Sequence, residues 1–232
     1  MGLEKVLGDS PIAKGKSIFY LLVDDSGTMS EHIDTVNDVL GHVVADLQSE
    51  TAAKLSAQLG VIAFSDRART LLPAADITDD LKLPRLEKTE YQTNFAAAFD
   101  ALRTDIARAL QMNKKRQVDT HRAVVFFLTD GRPEPEDQPW REALRRLLHD
   151  DAKLRPKIFA FGIGKANEDI LGEIATEDAW KFVDADRGTI AEALKTWAEV
   201  FVGTLVGTSS STTLQKPQAP ASARRLPLIP LD

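Results

Sequence analysis

Four short runs in this chain are apolar at nearly every position, and between them lie longer stretches whose apolar residues recur every three or four positions. The runs are Ile18 to Val23, Leu59 to Phe64, Val124 to Leu128 and Ile158 to Ile163, all rich in Val, Ile and Phe. A run that is apolar throughout suits a strand buried on both faces, as in a parallel sheet. In the intervening stretches, Ile33, Val36, Val39, Leu40, Val43, Val44 and Leu47 fall on one face of a helix. Phe95, Phe99, Leu102, Ile106 and Leu110 do the same, as do Trp140, Ala143, Leu144, Leu147 and Leu148. A last stripe runs through Ile190, Leu194, Trp197, Val200, Phe201 and Leu205. Strand–helix alternation of this kind predicts an α/β sandwich with right-handed crossovers and helices on both faces. Thr70 to Leu72 follows the second run closely enough to be a short antiparallel edge strand, and Lys181 to Val183 is the candidate for a sixth, parallel strand.

Composition narrows the function. With 232 residues, 43% hydrophobic and 28% charged, the chain can bury a sizeable core. A net charge of -6 and a pI near 5.3 argue against a general nucleic-acid or anionic-membrane binder. The absence of cysteine removes disulfides, zinc–thiolate sites and thiol nucleophiles together, and suits a reducing compartment. Met1 to Val6 lacks the apolar core of a signal peptide, and no apolar run approaches the roughly 20 residues of a membrane span. The expectation is a cytoplasmic protein with neither nucleic acid nor membrane as partner.

Three segments are expected: an N-terminal extension over 1–16, one domain over 17–206, and a tail over 207–232. The tail is rich in Ser, Thr, Pro and Ala and is expected to be largely disordered. Its end, Leu226 to Leu231, is open to two readings, a docking peptide or a loosely packed terminus.

The first apolar run ends in Asp24-Asp25-Ser26-Gly27-Thr28-Met29-Ser30, a carboxylate at a strand end followed by alternating hydroxyls. A tight turn helped by Gly27 would aim Asp24, Ser26 and Thr28 inward. The third run ends in Thr129-Asp130-Gly131, which places a second carboxylate at the corresponding end of another strand. Thr93 precedes the helix that starts near Phe95, where its hydroxyl can point back over the sheet edge. Open α/β sheets bind ligands outside the carboxyl ends of their strands, where the strand order reverses. If the first and third runs are neighbours there, Asp24 and Asp130 face each other and repel unless a cation sits between them. Oxygen-only ligands suit a hard ion, Mg²⁺ first and Mn²⁺ second.

Asp24-x-Ser26-x-Thr28, Thr93 and Asp130 resemble the metal-ion-dependent adhesion site of von Willebrand factor A domains: Asp-x-Ser-x-Ser, a distant Thr, and a distant Asp before Gly. The resemblance spans roughly Ser17 to Leu205. It implies a doubly wound, mostly parallel six-stranded sheet in the order 3-2-1-4-5-6 with one antiparallel edge strand, which sets the first and fourth strands side by side. It also implies that the three hydroxyls and one or two carboxylates hold the ion directly or through water. Thr28 stands where the family usually has Ser, and Tyr91-Gln92 stand where relatives often carry glycines. Phe19 to Ser30, Gly60 to Phe64 and Leu128 to Pro133 are similar to compact bacterial intracellular members associated with tellurium resistance and with kinase and phosphatase partners. The function implied is a non-enzymatic adaptor whose bound ion captures an Asp or Glu of a protein partner.

Rival readings use the same residues differently. A receiver-type domain needs a further Asp after the next long core strand, where this chain has Phe64-Ser65-Asp66, and a later Lys, where Lys165 sits in a turn. A magnesium-dependent phosphate enzyme needs a nucleophile or base beyond the metal ligands. A structural domain with a relic site is the third. Asp25 and Glu31 are acidic loop residues left outside the ligand set. Gly15-Lys16-Ser17 lacks the first glycine of a phosphate-binding loop and precedes a strand rather than a helix.

Overall fold

The computed structural model describes residues 15–88, 91–135, 139–149, 152, 154–182, 187–211, 213–218 and 220–231. Most of the N-terminal extension and Val183 therefore lie outside the described residues. In chain order the elements are β1 (Ser17–Asp24), a 3-10 turn (Gly27–Glu31), α1 (Ile33–Ser49), α2 (Thr51–Ser56), β2 (Ala57–Phe64) and β3 (Ala68–Asp76). There follow α3 (Phe95–Lys115), β4 (Val124–Thr129), α4 (Trp140–His149), β5 (Lys157–Gly162), α5 (Glu168–Ile174), β6 (Asp178–Phe182), α6 (Arg187–Ser209) and β7 (Ala223–Leu226).

The strands form one sheet in the order β3-β2-β1-β4-β5-β6-β7. β2, β1, β4, β5 and β6 are mutually parallel, while β3 and β7 run antiparallel to their neighbours at the two edges. The expected order from the third strand to the sixth is thus present, and the apolar runs are the central strands. β1 is buried at all eight positions because both of its faces are covered. Phe19, Leu21 and Val23 pack with the stripe of α1 and with Trp197 and Phe201 of α6. Ile18, Tyr20 and Leu22 face the other way, toward the Phe95–Ile106 stripe of α3 and the α4 stripe. This alternation is the two-residue period of a strand expressed as two separate hydrophobic layers.

Two features differ from expectation. The edge strand β3 is nine residues long rather than three. The region from 207 onward contributes to the fold: α6 runs through it to Ser209, and Ala223–Leu226 pair with β6, adding a seventh strand and a second antiparallel edge. Leu226 is buried, Arg225 pairs with the buried Asp178, and Arg224 reaches Glu168 at 2.5 Å. Beyond the strand, the Ile229 amide donates to the Gly172 carbonyl at 3.0 Å. The approach needs glycine, since a Cβ at 172 would lie 2.5 Å from the Pro227 carbonyl oxygen. The low apolar content that suggested disorder is enough here because a short edge strand draws on backbone pairing and one buried side chain, not on a core of its own.

Candidate metal site

The carboxyl ends of β1 and β4 bring the first two parts of the motif together. Val23 pairs with Leu128, so Asp24 and Thr129 end the two strands side by side. They also share the face that carries Leu22 and Phe127, by the alternation just described. The Thr129 hydroxyl donates to Asp24 Oδ2 at 2.5 Å. Asp24 Oδ1 accepts the Ser26 amide at 2.9 Å, an Asx-type turn that starts the 3-10 segment. Ser26 precedes that segment without capping it, and its hydroxyl lies instead 3.2 Å from Thr28 Oγ1. Thr28 Oγ1 in turn donates to Asp130 Oδ1 at 2.7 Å. Asp24, Ser26 and Asp130 are buried and Thr28 is exposed, so the chain of oxygens opens to solvent at Thr28.

Thr93 is delivered by the third segment. Phe95, the first residue of α3, packs edge-on against Phe127 at 5.2 Å and Trp140 at 6.2 Å, while the Asn94 side chain caps the helix by accepting from the Ala97 amide at 3.0 Å. The loops are tied to one another through the backbone. The Gly27 amide donates to the Tyr91 carbonyl at 2.9 Å, and the Glu134 amide donates to the Thr93 carbonyl at 2.8 Å. A Cβ at Gly131 would lie 3.7 Å from both Thr28 Oγ1 and Thr93 Oγ1, which places the two hydroxyls around one point beside Asp130. Tyr91, whose carbonyl takes the Gly27 amide, is 51% exposed.

Electrostatics favour a cation here. Burial, and then the charge of Asp130, push the Asp24 carboxyl up to about 7, against the pull of its hydrogen bonds from Ser26 and Thr129. Asp130 is raised as well, chiefly by burial, with Thr28 and the charges of His32 and Lys165 acting the other way. Two buried carboxylates, both held back by burial and one of them by the other's charge as well, are relieved by a divalent ion between them. The spacing suits a small one. Octahedral Mg²⁺ has ligands at about 2.0–2.1 Å, which puts adjacent oxygens about 3.0 Å apart. The Ser26–Thr28 and Thr28–Asp130 separations are 3.2 and 2.7 Å. The donor set therefore fits a hard divalent cation. Asp24, Ser26, Thr28, Thr93 and Asp130 are the residues that would hold it.

Two residues complete the picture in ways spacing did not reveal. Thr129 orients Asp24, although it figured in the sequence only as the residue before Asp130. Asp25 is fully buried and turned to an ion pair with Arg69 of β3. The antiparallel register that sets Arg69 beside Ala63, itself beside Val23, brings that pair together, and no local pattern announces it. Glu31 lies exposed on the 3-10 turn.

A mostly parallel α/β sheet with candidate oxygen ligands gathered at the carboxyl ends of two central strands, at the point where strand order reverses, has the layout of open sheets that bind ligands in that crevice. The chain belongs to the von Willebrand factor type A domain family, whose model matches residues 19–196. Among solved structures it resembles proximal thread matrix protein 1 from the mussel byssus, solved with a zinc-occupied MIDAS motif: 18% identity, TM-score 0.58, 82% of this chain and 48% of that one. It also resembles a von Willebrand factor type A protein from Catenulispora acidiphila, at 16% identity and TM-score 0.54 over 82% of this chain and 43% of the other. A third is the pilus adhesin SpaC from Lactobacillus rhamnosus GG in an open conformation, at 12% identity and TM-score 0.61 over 84% and 30%. The chain spans about half, or less, of the length of these proteins. No curated protein matches it. Among the described residues no helix is long and apolar enough to cross a membrane.

Proposed function

We propose that this domain is a non-enzymatic adaptor that uses a divalent ion, Mg²⁺ before Mn²⁺, held by Asp24, Ser26, Thr28, Thr93 and Asp130, to capture an Asp or Glu of a protein partner. The observation that carries this reading is the linked set of Asp24, Ser26, Thr28 and Asp130, joined through the Ser26 amide and then through the Ser26 and Thr28 hydroxyls, closed off below by Thr129 and open to solvent at Thr28. An ion in that set would keep a coordination position toward solvent, and an outside carboxylate filling it makes a strong charge-assisted contact. The zinc in the MIDAS motif of the mussel protein supports a divalent ion in this fold; the all-oxygen donor set here favours a harder one. The phosphate-enzyme reading is weaker, because the hydroxyls at hand, Ser26 and Thr28, are engaged with each other and with Asp130 inside the donor set. The likeness of Phe19 to Ser30 and Leu128 to Pro133 to intracellular bacterial members points to a cytoplasmic stress-resistance or signalling system, with a kinase or phosphatase as partner.

The test is partner capture by the immobilised chain with Mg²⁺ and with EDTA, using wild type, Thr93→Ala and Asp24→Ala. Capture in Mg²⁺ only, lost in Asp24→Ala and weakened more than ion binding in Thr93→Ala, is the expected result. Full retention in EDTA by folded protein overturns the mechanism.

A further inference from the structure

The turn between β2 and β3, Ser65 to Arg67, is bonded to both of the loops that carry Asp24 and Thr93. On one side Phe64 ends β2 in register with Asp24, and its carbonyl accepts the Asp25 amide at 2.9 Å. On the other side the Ser65 carbonyl accepts the amide of Asn94, the residue after Thr93, at 2.7 Å. The Asn94 side chain adds a bond to the Asp66 carbonyl at 3.2 Å, and the rings of Phe64 and Phe95 meet edge-on at 5.7 Å. The turn closes on itself through the Ser65 amide, which donates to the Arg67 carbonyl at 3.0 Å.

Arg69 locks this bracket. Asp25, the residue after Asp24, is fully buried, and its carboxylate is held by Arg69, two residues past the turn, and by the Ser65 hydroxyl. Removing one partner of such a pair leaves a buried charge uncompensated, which an exposed pair does not. An ion pair that served stability alone could sit anywhere in the sheet. This one joins the residue after the first candidate ligand to the strand that leaves the turn, and the turn holds the residue after Thr93.

We propose that Arg69 is a positioning residue for the metal site: through Asp25 and the Ser65 turn it holds the Thr93 loop against the Asp24 loop, and so sets the preference for Mg²⁺ over Ca²⁺. Mg²⁺ demands near-ideal octahedral geometry with ligands at about 2.0–2.1 Å, whereas Ca²⁺ accepts about 2.3–2.6 Å in flexible arrangements. Loops free to drift apart therefore lose Mg²⁺ before Ca²⁺. The role rests on the divalent-ion reading of Asp24, Ser26, Thr28, Thr93 and Asp130.

Charge and position predict opposite signs. Loss of a positive charge near the site would by itself tighten the binding of any cation, while a loosened Thr93 loop weakens it, for Mg²⁺ most of all. The full chain is compared as wild type, as Arg69→Gln, and as Asp25→Leu/Arg69→Met, which removes both charges together. Each is titrated calorimetrically with Mg²⁺ and, separately, with Ca²⁺, and backbone amide exchange is followed by NMR in EDTA.

Mg²⁺ affinity should fall about tenfold in both variants, with Ca²⁺ affinity changed less. Arg69→Lys, which keeps the charge, should restore most of the wild-type preference. Without any metal, the Asn94 and Glu134 amides, which flank Thr93 through their bonds, should exchange roughly tenfold faster in both variants, while the Ile229 amide in the tail stays as in wild type. A rise in both ion affinities, or an unchanged ratio of Mg²⁺ to Ca²⁺ affinity, overturns the positioning role and leaves the metal site standing. Faster exchange at Ile229 as well would show general loosening and overturn it too. Wild type that binds neither ion overturns the metal site and this role together.

Discussion

The hydroxyl of Thr129, the last residue of β4, donates to Asp24 Oδ2, at the last residue of β1, across 2.5 Å. The contact fixes the plane of the Asp24 carboxylate, whose other oxygen is held by the Ser26 amide, so both strands set the orientation of one candidate ligand. The same Thr129 oxygen accepts the Gly131 amide at 3.1 Å, which shapes the turn that carries Asp130. Removing this hydroxyl in Thr129→Val keeps the shape of the side chain and loses its grip on Asp24. Outer partners of metal ligands are typically worth about 10–100-fold in affinity, and Mg²⁺ titration of this variant should show a loss in that range, with Thr129→Ser close to wild type.

Asp130→Asn separates the charge of the ligand from its shape. In metal-free protein it removes the repulsion that helps raise Asp24, so the thermal midpoint should hold or rise. Mg²⁺ affinity should fall by more than the roughly 10–100-fold expected for an outer partner. An unchanged affinity by calorimetry would remove Asp130 from the ligand set.

The raised carboxyl of Asp24 gives a pH dependence with a definite sign. Its folded value of about 7 lies above the ordinary 3.8. Between the two, the metal-free folded protein holds a proton that the unfolded chain has released, so this group's contribution makes stability fall as pH rises through that window. Thermal melts in EDTA at pH 5 and pH 8 should show a drop in wild type that is smaller in Asp24→Asn. Added Mg²⁺ should raise the wild-type midpoint more at pH 8, where the carboxylate is ionised, than at pH 5.

Ending the chain after Ser222 removes β7 and the segment that follows it. The loss of Leu226 burial alone is worth about 2 kcal/mol, and the outer edge of β6 loses its pairing. A lowered thermal midpoint is expected, together with unchanged Mg²⁺ affinity, because the tail packs on α5 and β6 rather than on the Asp24 loop. Gly172→Ala should lower the midpoint in the same direction, since its methyl would be driven against the Pro227 carbonyl. A midpoint untouched by either change would show that the tail contributes nothing to stability.

The two periods in the sequence, solid runs and three-to-four stripes, determine the four central strands and the four long helices, and most of the residues buried in them. Every residue of the predicted α1 stripe is buried, because hydrophobic periodicity is a local property that survives any arrangement of neighbours. The motif Asp24-x-Ser26-x-Thr28 was legible for the same reason: three candidate ligands on one turn need no tertiary partner to be aligned. The distant members, Thr93 and Asp130, could be named through the family pattern, but their meeting depends on β4 lying next to β1 and on Phe95 packing against Phe127 and Trp140.

Tertiary structure alone decided the rest. Asp25 and Asp24 are adjacent and chemically identical, yet one faces Asp130 and the other Arg69, an outcome set by the register of β3 on β2. Ala223 to Leu226 become a strand only because β6 presents an unpaired edge of matching length and Asp178 and Glu168 await Arg225 and Arg224. Such pairings join residues far apart in the chain. Their free energy comes from backbone groups and charges that any sequence can offer, so side-chain pattern does not signal them before the sheet exists.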